Sequence, residues 1–442
     1  MFWALLIIFC LKRNKDLKNI AYLIFTILLL FTVTYQDSFL SIILGEIGRS
    51  PAILFLPLII VLRIRSREFV KSESFNSIYR VFKLFVIVYT IVSIINLIEW
   101  FTIGEKTLIF LNQNVILKSV KYGVYYLVFI LLFKYGYFYF SVKVSDKNIS
   151  ISLLVLITFY SLFIIFELSS IPNAFKWLHA NDISYLRIRM LTYESSWTGG
   201  IAILLFCCAM AFSQSFFSKF VCIAFILLFT LTSGSKQFLS VFPLAMFLAS
   251  FQLKHRYKKS LLFSSVVVFL LTLSILIPIL QEKFTEDLLE YSSTVTRSSA
   301  FINSFRVILF VQPIGTGGLY FYYIATYLRD TAEIIVDLIG FGVLHEVNQM
   351  GKDTDEFLTA GSSFAEWTLL GGYLGFVLYF LLLKRLYKIS KANFWLLVGF
   401  FHFAITNTFS ETMVTKVNWA IFFSLVCTFY DRKKKKDTIS LA

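Results

Sequence analysis

The feature that most constrains this chain is a series of apolar runs, most close to 20 residues long, separated by polar links. A helix needs about 20 apolar residues to cross the hydrocarbon core of a bilayer. Inside that core every backbone polar group must be satisfied within its own segment, so such runs are expected to be helices. Read along the chain, they predict spans at 19–36, 39–62, 82–101, 119–142, 149–171, 196–213, 217–232, 237–253, 260–280, 364–383, 393–410 and 414–430. Met1 to Leu11 is either a short outside-to-inside helix or an interfacial one, and no signal-peptide cleavage pattern precedes Lys12. The expected class is therefore an all-α, polytopic integral membrane protein of twelve helices, or thirteen if the first segment spans. Composition agrees, with 58% apolar and 15% charged residues, whereas soluble domains carry about 45–50% and about 25%.

The net charge of +15 is not spread evenly. The basic links KRNKDLK (12–18), RIRSREFVKS (63–72), KHRYKK (254–259), KRLYKISK (384–391) and DRKKKK (431–436) all fall on one side when the spans alternate. This is the positive-inside pattern, which places those links and the C-terminus in the cytoplasm. It also argues against a basic face for nucleic acid. The other side receives the links 102–118 and 172–195 and one long loop, 281–363. Three regions follow: an N-terminal bundle (1–280), the large outer loop (281–363), and C-terminal helices with a basic tail (364–442). Within the loop, 282–310 and 327–347 alternate acids, apolar residues and arginines at helical spacing, and QPIGTGG (312–318) breaks them. Two or more amphipathic helices lying at the outer interface are expected.

Several chemistries find no support. The five cysteines (Cys10, Cys207, Cys208, Cys222 and Cys427) sit inside apolar runs as small core residues, and the four histidines are scattered without metal-ligand spacing. No phosphate-binding G-x-x-x-x-G-K-[ST] loop, dinucleotide fingerprint or G-x-S-x-G elbow occurs. No cofactor and no metal are expected. Any group transfer would need a substrate that arrives already activated.

Ionisable groups at the edge of a membrane span are costly and mark function more often than others do. The densest set lies in YLRIRMLTYESSWTGG (185–200), with Arg187, Arg189 and Glu194. Either the guanidinium groups fork onto phosphate oxygens while the carboxylate takes a sugar hydroxyl proton, or the set is an interfacial ion pair anchoring the loop. Lys236 opens a span and either faces phosphate or snorkels to the interface. Arg297 and Arg306 lie nine residues apart in the long loop, as a diphosphate pair or as solvated helix charge. Glu46 and Arg49 sit inside an apolar run, either paired with each other or marking the floor of a cavity; Glu167 and Glu366 are similar. His345 and Glu346 read as ordinary loop residues.

Four segments carry a family resemblance. RIRMLTYESS (187–196) resembles the arginine-rich, Glu-Pro-Ser-type segment of the bacterial O-antigen and capsular-polysaccharide repeat-unit polymerases. LTSGSKQFLS (231–240) is similar to the Ser-Arg/Lys segment that those polymerases share with the related O-antigen ligases. TRSSAFINSFRVILFVQPIGTGG (296–318) resembles the Arg…Pro-x-Gly-x-Gly segment of their large outer loop, and SSFAEWTLLGGYLGFVLYFLL (362–382) the helix that follows. The order matches, and the resemblance covers about 185–385. Ten residues separate Arg189 from Gly200 and Arg306 from Gly317, similar to spacings in two outer loops of the polymerases. The chain departs from the pattern at Met190 and Ser195, where relatives often have glycine and proline. It also has Ser362 and Ser363 where the ligases carry a histidine.

The resemblance implies a membrane-embedded, metal-independent glycosyltransferase with a fold like that of the GT-C class, in the bacterial cytoplasmic membrane with its active site facing outward. It would join undecaprenyl-diphosphate-linked oligosaccharide repeat units. Arg297 and Lys236 would hold the donor diphosphate, Arg187 or Arg189 would complete the clamp with Arg306 as a further binding residue, and Glu194 would activate the acceptor hydroxyl. Its partners would be the lipid-linked oligosaccharide and the bilayer, with a chain-length regulator as a further candidate. Ligase, lipid-linked oligosaccharide flippase and membrane-bound acyltransferase are the alternatives. The last relies on a histidine, and His179, His345 and His402 lack a supporting motif.

Overall fold

The computed structural model describes residues 15–66, 72–104, 107–110, 112–170, 178–180, 188–192, 195–233, 235–252, 293–339, 360–413 and 416–441, with single positions at 263, 266, 274 and 347. The first eleven residues, nearly all of the expected span at 260–280, Arg187, Glu194, His345 and Glu346 lie outside them.

The described chain is all-α apart from one small hairpin. In order it forms α1 (Lys15–Thr34), α2 (Leu40–Leu44), α3 (Leu56–Arg65), α4 (Glu73–Thr102), β1 (Ile109–Phe110), β2 (Gln113–Asn114), α5 (Val115–Phe138), α6 (Asp146–Ser170) and α7 (Ser195–Phe212). There follow α8 (Phe216–Thr232), α9 (Lys236–Phe251), α10 (Ser293–Phe310), α11 (Tyr320–Ile339), α12 (Ser363–Ser390), α13 (Phe394–Phe409) and α14 (Val417–Leu441). Among the described residues, five helices are long and apolar enough to cross a bilayer, within α1, α4, α5 with its π-turn, α6 and α12. Shorter apolar helices include α7, α8, α9 and α13. Caps mark where runs begin: Ser72, Asn114, Ser235, Ser362 and Asn393 each accept a hydrogen bond from a first-turn N–H. Ile91, Ile94, Ile95 and Ile98 stay exposed on α4, as a lipid-facing surface requires.

The ends of the bundle differ. At one, which we call the basic end, Arg432 of α14 pairs with Asp146 at the start of α6 and donates to the Phe140 carbonyl at 2.6 Å. At the other, the ends of α1 and α13 meet the segments that start α7, α9, α12 and α14.

Two expected spans are interrupted. The run at 39–62 is no single helix: α2 gives way to 3-10 turns at Gly45–Arg49 and Pro51–Phe55 before α3 begins. Gly45 takes φ +64°, and Pro51 has no N–H to continue a helical ladder. The second break is in α12, where Gly372 has φ 59°, ψ −147°. The QPIGTGG segment, expected as a turn between surface helices, fills this break. Thr316 N–H donates to the Leu369 carbonyl at 2.8 Å, Asn96 of α4 donates to the Gly315 carbonyl at 3.0 Å, and Gly318 N–H donates to Ser93 Oγ at 2.9 Å. Thr316, Gly317 and Gly318 are buried. Irregular backbone at this depth is tolerated because protein surrounds it and satisfies its polar groups.

A methyl group on Gly372 would lie 2.3 Å from the Pro313 carbonyl oxygen, in a backbone conformation open essentially to glycine alone. Overpacking alone costs about 1–3 kcal/mol. Gly372→Ala should lower the thermal unfolding midpoint in detergent by several degrees, and an unchanged midpoint would contradict the inserted-loop packing.

Candidate functional site

The end opposite the basic one gathers buried charge. Asp37 follows α1 by three residues, and His179 Nδ1 bonds its Oδ2 at 2.8 Å. Arg189 Nη1 stands 3.6 Å from the same oxygen. The backbone around Arg189 is itself fixed by a carboxylate: the N–H groups of Arg189 and Met190 donate to Glu167, at the end of α6, at 3.0 and 3.2 Å. Gln36 N–H donates to the Leu191 carbonyl at 2.8 Å, and the hydroxyls of Thr192 and Thr198 both donate to the Arg189 carbonyl, at 2.7 and 2.9 Å. Met190 turns the chain with φ 49°, which places Arg189 and Thr192 on the same knot of hydrogen bonds. Asp37, Glu167, His179 and Arg189 are all buried.

A second group adjoins the first through Gln36, whose side-chain amide donates to Asn418 Oδ1 at 2.7 Å. Lys416, just before α14, is 2.9 Å from Glu411, just after α13, and both side chains are under 5% exposed. Gln237, in the first turn of α9, donates to the other oxygen of Glu411 at 2.8 Å. Trp197 collects two cations: Lys416 Nζ lies 4.5 Å from its ring centre and the Arg49 guanidinium 5.0 Å. His402 is buried nearby, its ring centre 6.4 Å from that of Trp419, and neither of its nitrogens has a hydrogen-bond partner among the described residues.

Across these two groups Arg189 stands beside Asp37 and Lys416 beside Glu411, while Glu167 holds the backbone at Arg189 and Arg49 stands on Trp197. Buried charges are tolerated only when matched and hydrogen-bonded. An arginine that already leans on a carboxylate can exchange it for the forked oxygens of a phosphate. A third, separate group lies in α12, where the Tyr126 hydroxyl donates to the buried Glu366; the tilted rings of Tyr122 and Tyr320 pack against each other with centres 4.6 Å apart.

The sequence-derived candidates distribute unevenly. Arg189 is at the centre of the cluster. Lys236 opens α9 immediately before Gln237, and its side chain lies outside the described residues, as do Arg187 and Glu194. Arg297 is exposed on α10, and its carbonyl oxygen would be 3.3 Å from a methyl on Gly361. Two residues on, Ser363 N–H donates to the Glu411 carbonyl at 2.7 Å, so α10 borders the cluster. Arg306 is placed elsewhere: it donates to Thr331 at 3.1 Å, lies 3.9 Å from Asp330 and stacks on Tyr327, all in α11. Nine residues of helix separate it from Arg297 by roughly 13 Å along the axis. Arg49 stands on Trp197; the side chain of Glu46 lies outside the described residues.

Asp37, Glu411, Lys416, Gln237 and Trp197 were not singled out from the sequence. The available signal was position: Asp37 and Glu411 are charges in the few residues linking two apolar runs, and Lys416 is a cation at the start of the expected span 414–430. No group of three His, Cys, Asp or Glu side chains suited to a metal occurs among the described residues. No family model, no curated protein and no solved structure matches the chain.

Removing one member of a buried ion pair costs about 3–5 kcal/mol. Glu411→Gln should therefore destabilise the protein in a detergent thermal melt, and adding Lys416→Met should recover most of the loss. A single variant as stable as the wild type would contradict the pairing.

Proposed function

We propose that this chain polymerises undecaprenyl-diphosphate-linked oligosaccharide repeat units into an O-antigen-like or capsular polysaccharide. The end bearing the buried cluster would face outward from the bacterial cytoplasmic membrane and the basic end the cytoplasm. The observation that carries the reading is the concentration of buried Arg189 and Lys416, with half-buried Arg49 on Trp197, at one end of an apolar bundle. The four segments resembling the polymerases support it, since three of them, around Arg189, Lys236 and Ser362, converge on this cluster. A polyprenyl tail partitions beside the apolar helices, while its diphosphate meets the cations.

In the reaction, the bond between the donor sugar's anomeric carbon and the diphosphate oxygen breaks. A bond from that carbon to an acceptor hydroxyl oxygen forms. The diphosphate leaves on its lipid, and Arg189, Lys236 and Arg297 offset the charge that develops there. The acceptor proton passes to Glu194. No cofactor or metal enters this scheme.

A transporter of lipid-linked oligosaccharides is the second reading. It is favoured by the interrupted helices at Gly45–Phe55 and Gly372, because broken helices line the sites of many transporters.

Deleting the gene in its host and resolving the surface glycan by gel and mass spectrometry separates the readings. Loss of the polymer ladder, with single repeat units on the final acceptor, is expected. Polymer stalled on the lipid carrier would mean ligase, and repeat units trapped on the inner leaflet would mean flippase. Complementation with Arg297→Ala at normal protein level should lower polymer about 100-fold or more, the typical cost of losing one charge-stabilising donor. Glu194→Gln with normal turnover would remove that residue from proton transfer. A cysteine placed at Asn112 in the hairpin should react with an impermeant maleimide in intact cells and one placed at Thr438 should not; the reverse would overturn the orientation.

A further inference from the structure

The basic end carries a cleft of about 1240 Å3, separate from the cluster described above. Small-molecule sites usually measure about 300–1,000 Å3, so this recess is large enough for a lipid headgroup. Its walls are the first two turns of α4, the last turns of α12 and the exit of α14. Arg80, Arg385, Lys388, Lys434 and Lys435 line it, with Glu73 and Asp431 as the acids.

The acids are largely engaged. Asp431 accepts hydrogen bonds from Ser74 Oγ at 2.7 Å and from the Tyr137 hydroxyl at 2.6 Å, one on each carboxylate oxygen. Glu73 stands 4.0 Å from Lys434 with both side chains mostly exposed, a weak pair in water. The guanidinium of Arg385 donates to the Ser77 carbonyl, which fixes it in the wall. Arg80, Lys388 and Lys435 have no acidic partner among the described residues. The α4 N-terminus opens into the same space, and a helix start adds positive potential and free N–H groups. Positive-inside sorting explains why cations gather at this end, but not why they line one recess around a helix N-terminus.

We propose that this cleft is a binding site for a phosphate-bearing anion, with Arg80, Lys388 and Lys435 as the uncommitted cations and the first turn of α4 as the anion-facing backbone. The chemistry fits two sources: the headgroup of an anionic phospholipid, or a soluble pyrophosphate compound. Ile389 and Tyr430 in the lining supply the apolar flank that a headgroup at the membrane surface would use.

The test is native mass spectrometry and titration of the full-length purified protein with two probes, phosphatidylglycerol in mixed phosphatidylcholine micelles and inorganic pyrophosphate. Each cation at such a surface contributes roughly fivefold in affinity, so Arg80→Gln/Lys388→Gln should weaken binding about 25-fold. Lys384→Gln, exposed on the same helix but outside the cleft, is the control and should bind as the wild type does. Lys435→Gln alone, about fivefold weaker, serves if the double variant does not fold. Phosphatidylglycerol retained by the wild type and lost in the variants establishes a lipid site. Pyrophosphate binding with the same dependence establishes the soluble source. Binding of neither probe, or an equal loss with Lys384→Gln, would overturn the proposal.

Discussion

Lys416 and Glu411, 2.9 Å apart and almost fully withdrawn from solvent, set the condition that the rest of this end must meet. Neither charge survives burial alone, and together they remain stable only if their remaining hydrogen-bonding capacity is used. Gln237 meets part of that need by donating to Glu411, the Trp197 ring faces the Lys416 ammonium, and the two contacts tie α9 and α7 to the link between α13 and α14. Asp37 extends the same logic. It draws His179 and Arg189 inward, and Glu167 anchors the backbone that presents Arg189. The outcome is a set of helix ends positioned by electrostatics, where apolar packing alone would allow sliding.

Much of the fold is legible in the sequence because a bilayer leaves few options: long apolar runs become helices, and the cap residues announce where several begin. The breaks are less legible. The run at 39–62 is as apolar as its neighbours, and its interruption rests on Gly45 and Pro51, which composition hardly registers. QPIGTGG reads as a chain break, yet its burial depends on Ser93, Asn96 and Leu369, which belong to other helices far away in the chain. The cluster follows the same rule. Arg189 stood out because arginine in such surroundings is costly. Asp37 and Glu411 look like ordinary link residues, and Lys416 like a cation at the start of a span, until partners such as Gln237, 174 positions from Glu411, are brought beside them. Arg306 shows the reverse: its spacing from Arg297 leaves a diphosphate pair and solvated helix charge equally open, and only the fold places Thr331 and Asp330 of α11 beside it.

The two ends of the bundle thus handle charge in opposite ways. At the basic end, cations are exposed around a recess and keep their capacity for an anion. At the other, Arg189 and Lys416 are buried and matched to carboxylates, so a ligand that takes them must displace an internal partner. Such exchange favours a ligand with several close negative charges, and a diphosphate is one. Its lipid tail would lie along exposed isoleucines of the kind seen on α4. Along α12, Glu366 lies between Ser363, which borders the cluster, and the break at Gly372 that the inserted loop fills.

The most direct measurement is polymerisation in proteoliposomes containing only the purified protein and a synthetic polyprenyl-diphosphate-linked repeat unit. The account predicts a ladder of lengthening glycans with the wild type, and no ladder with an Arg189→Ala variant that keeps its fold. No ladder from the wild type, or an undiminished ladder from the variant, would contradict a buried cationic cluster that drives glycan transfer.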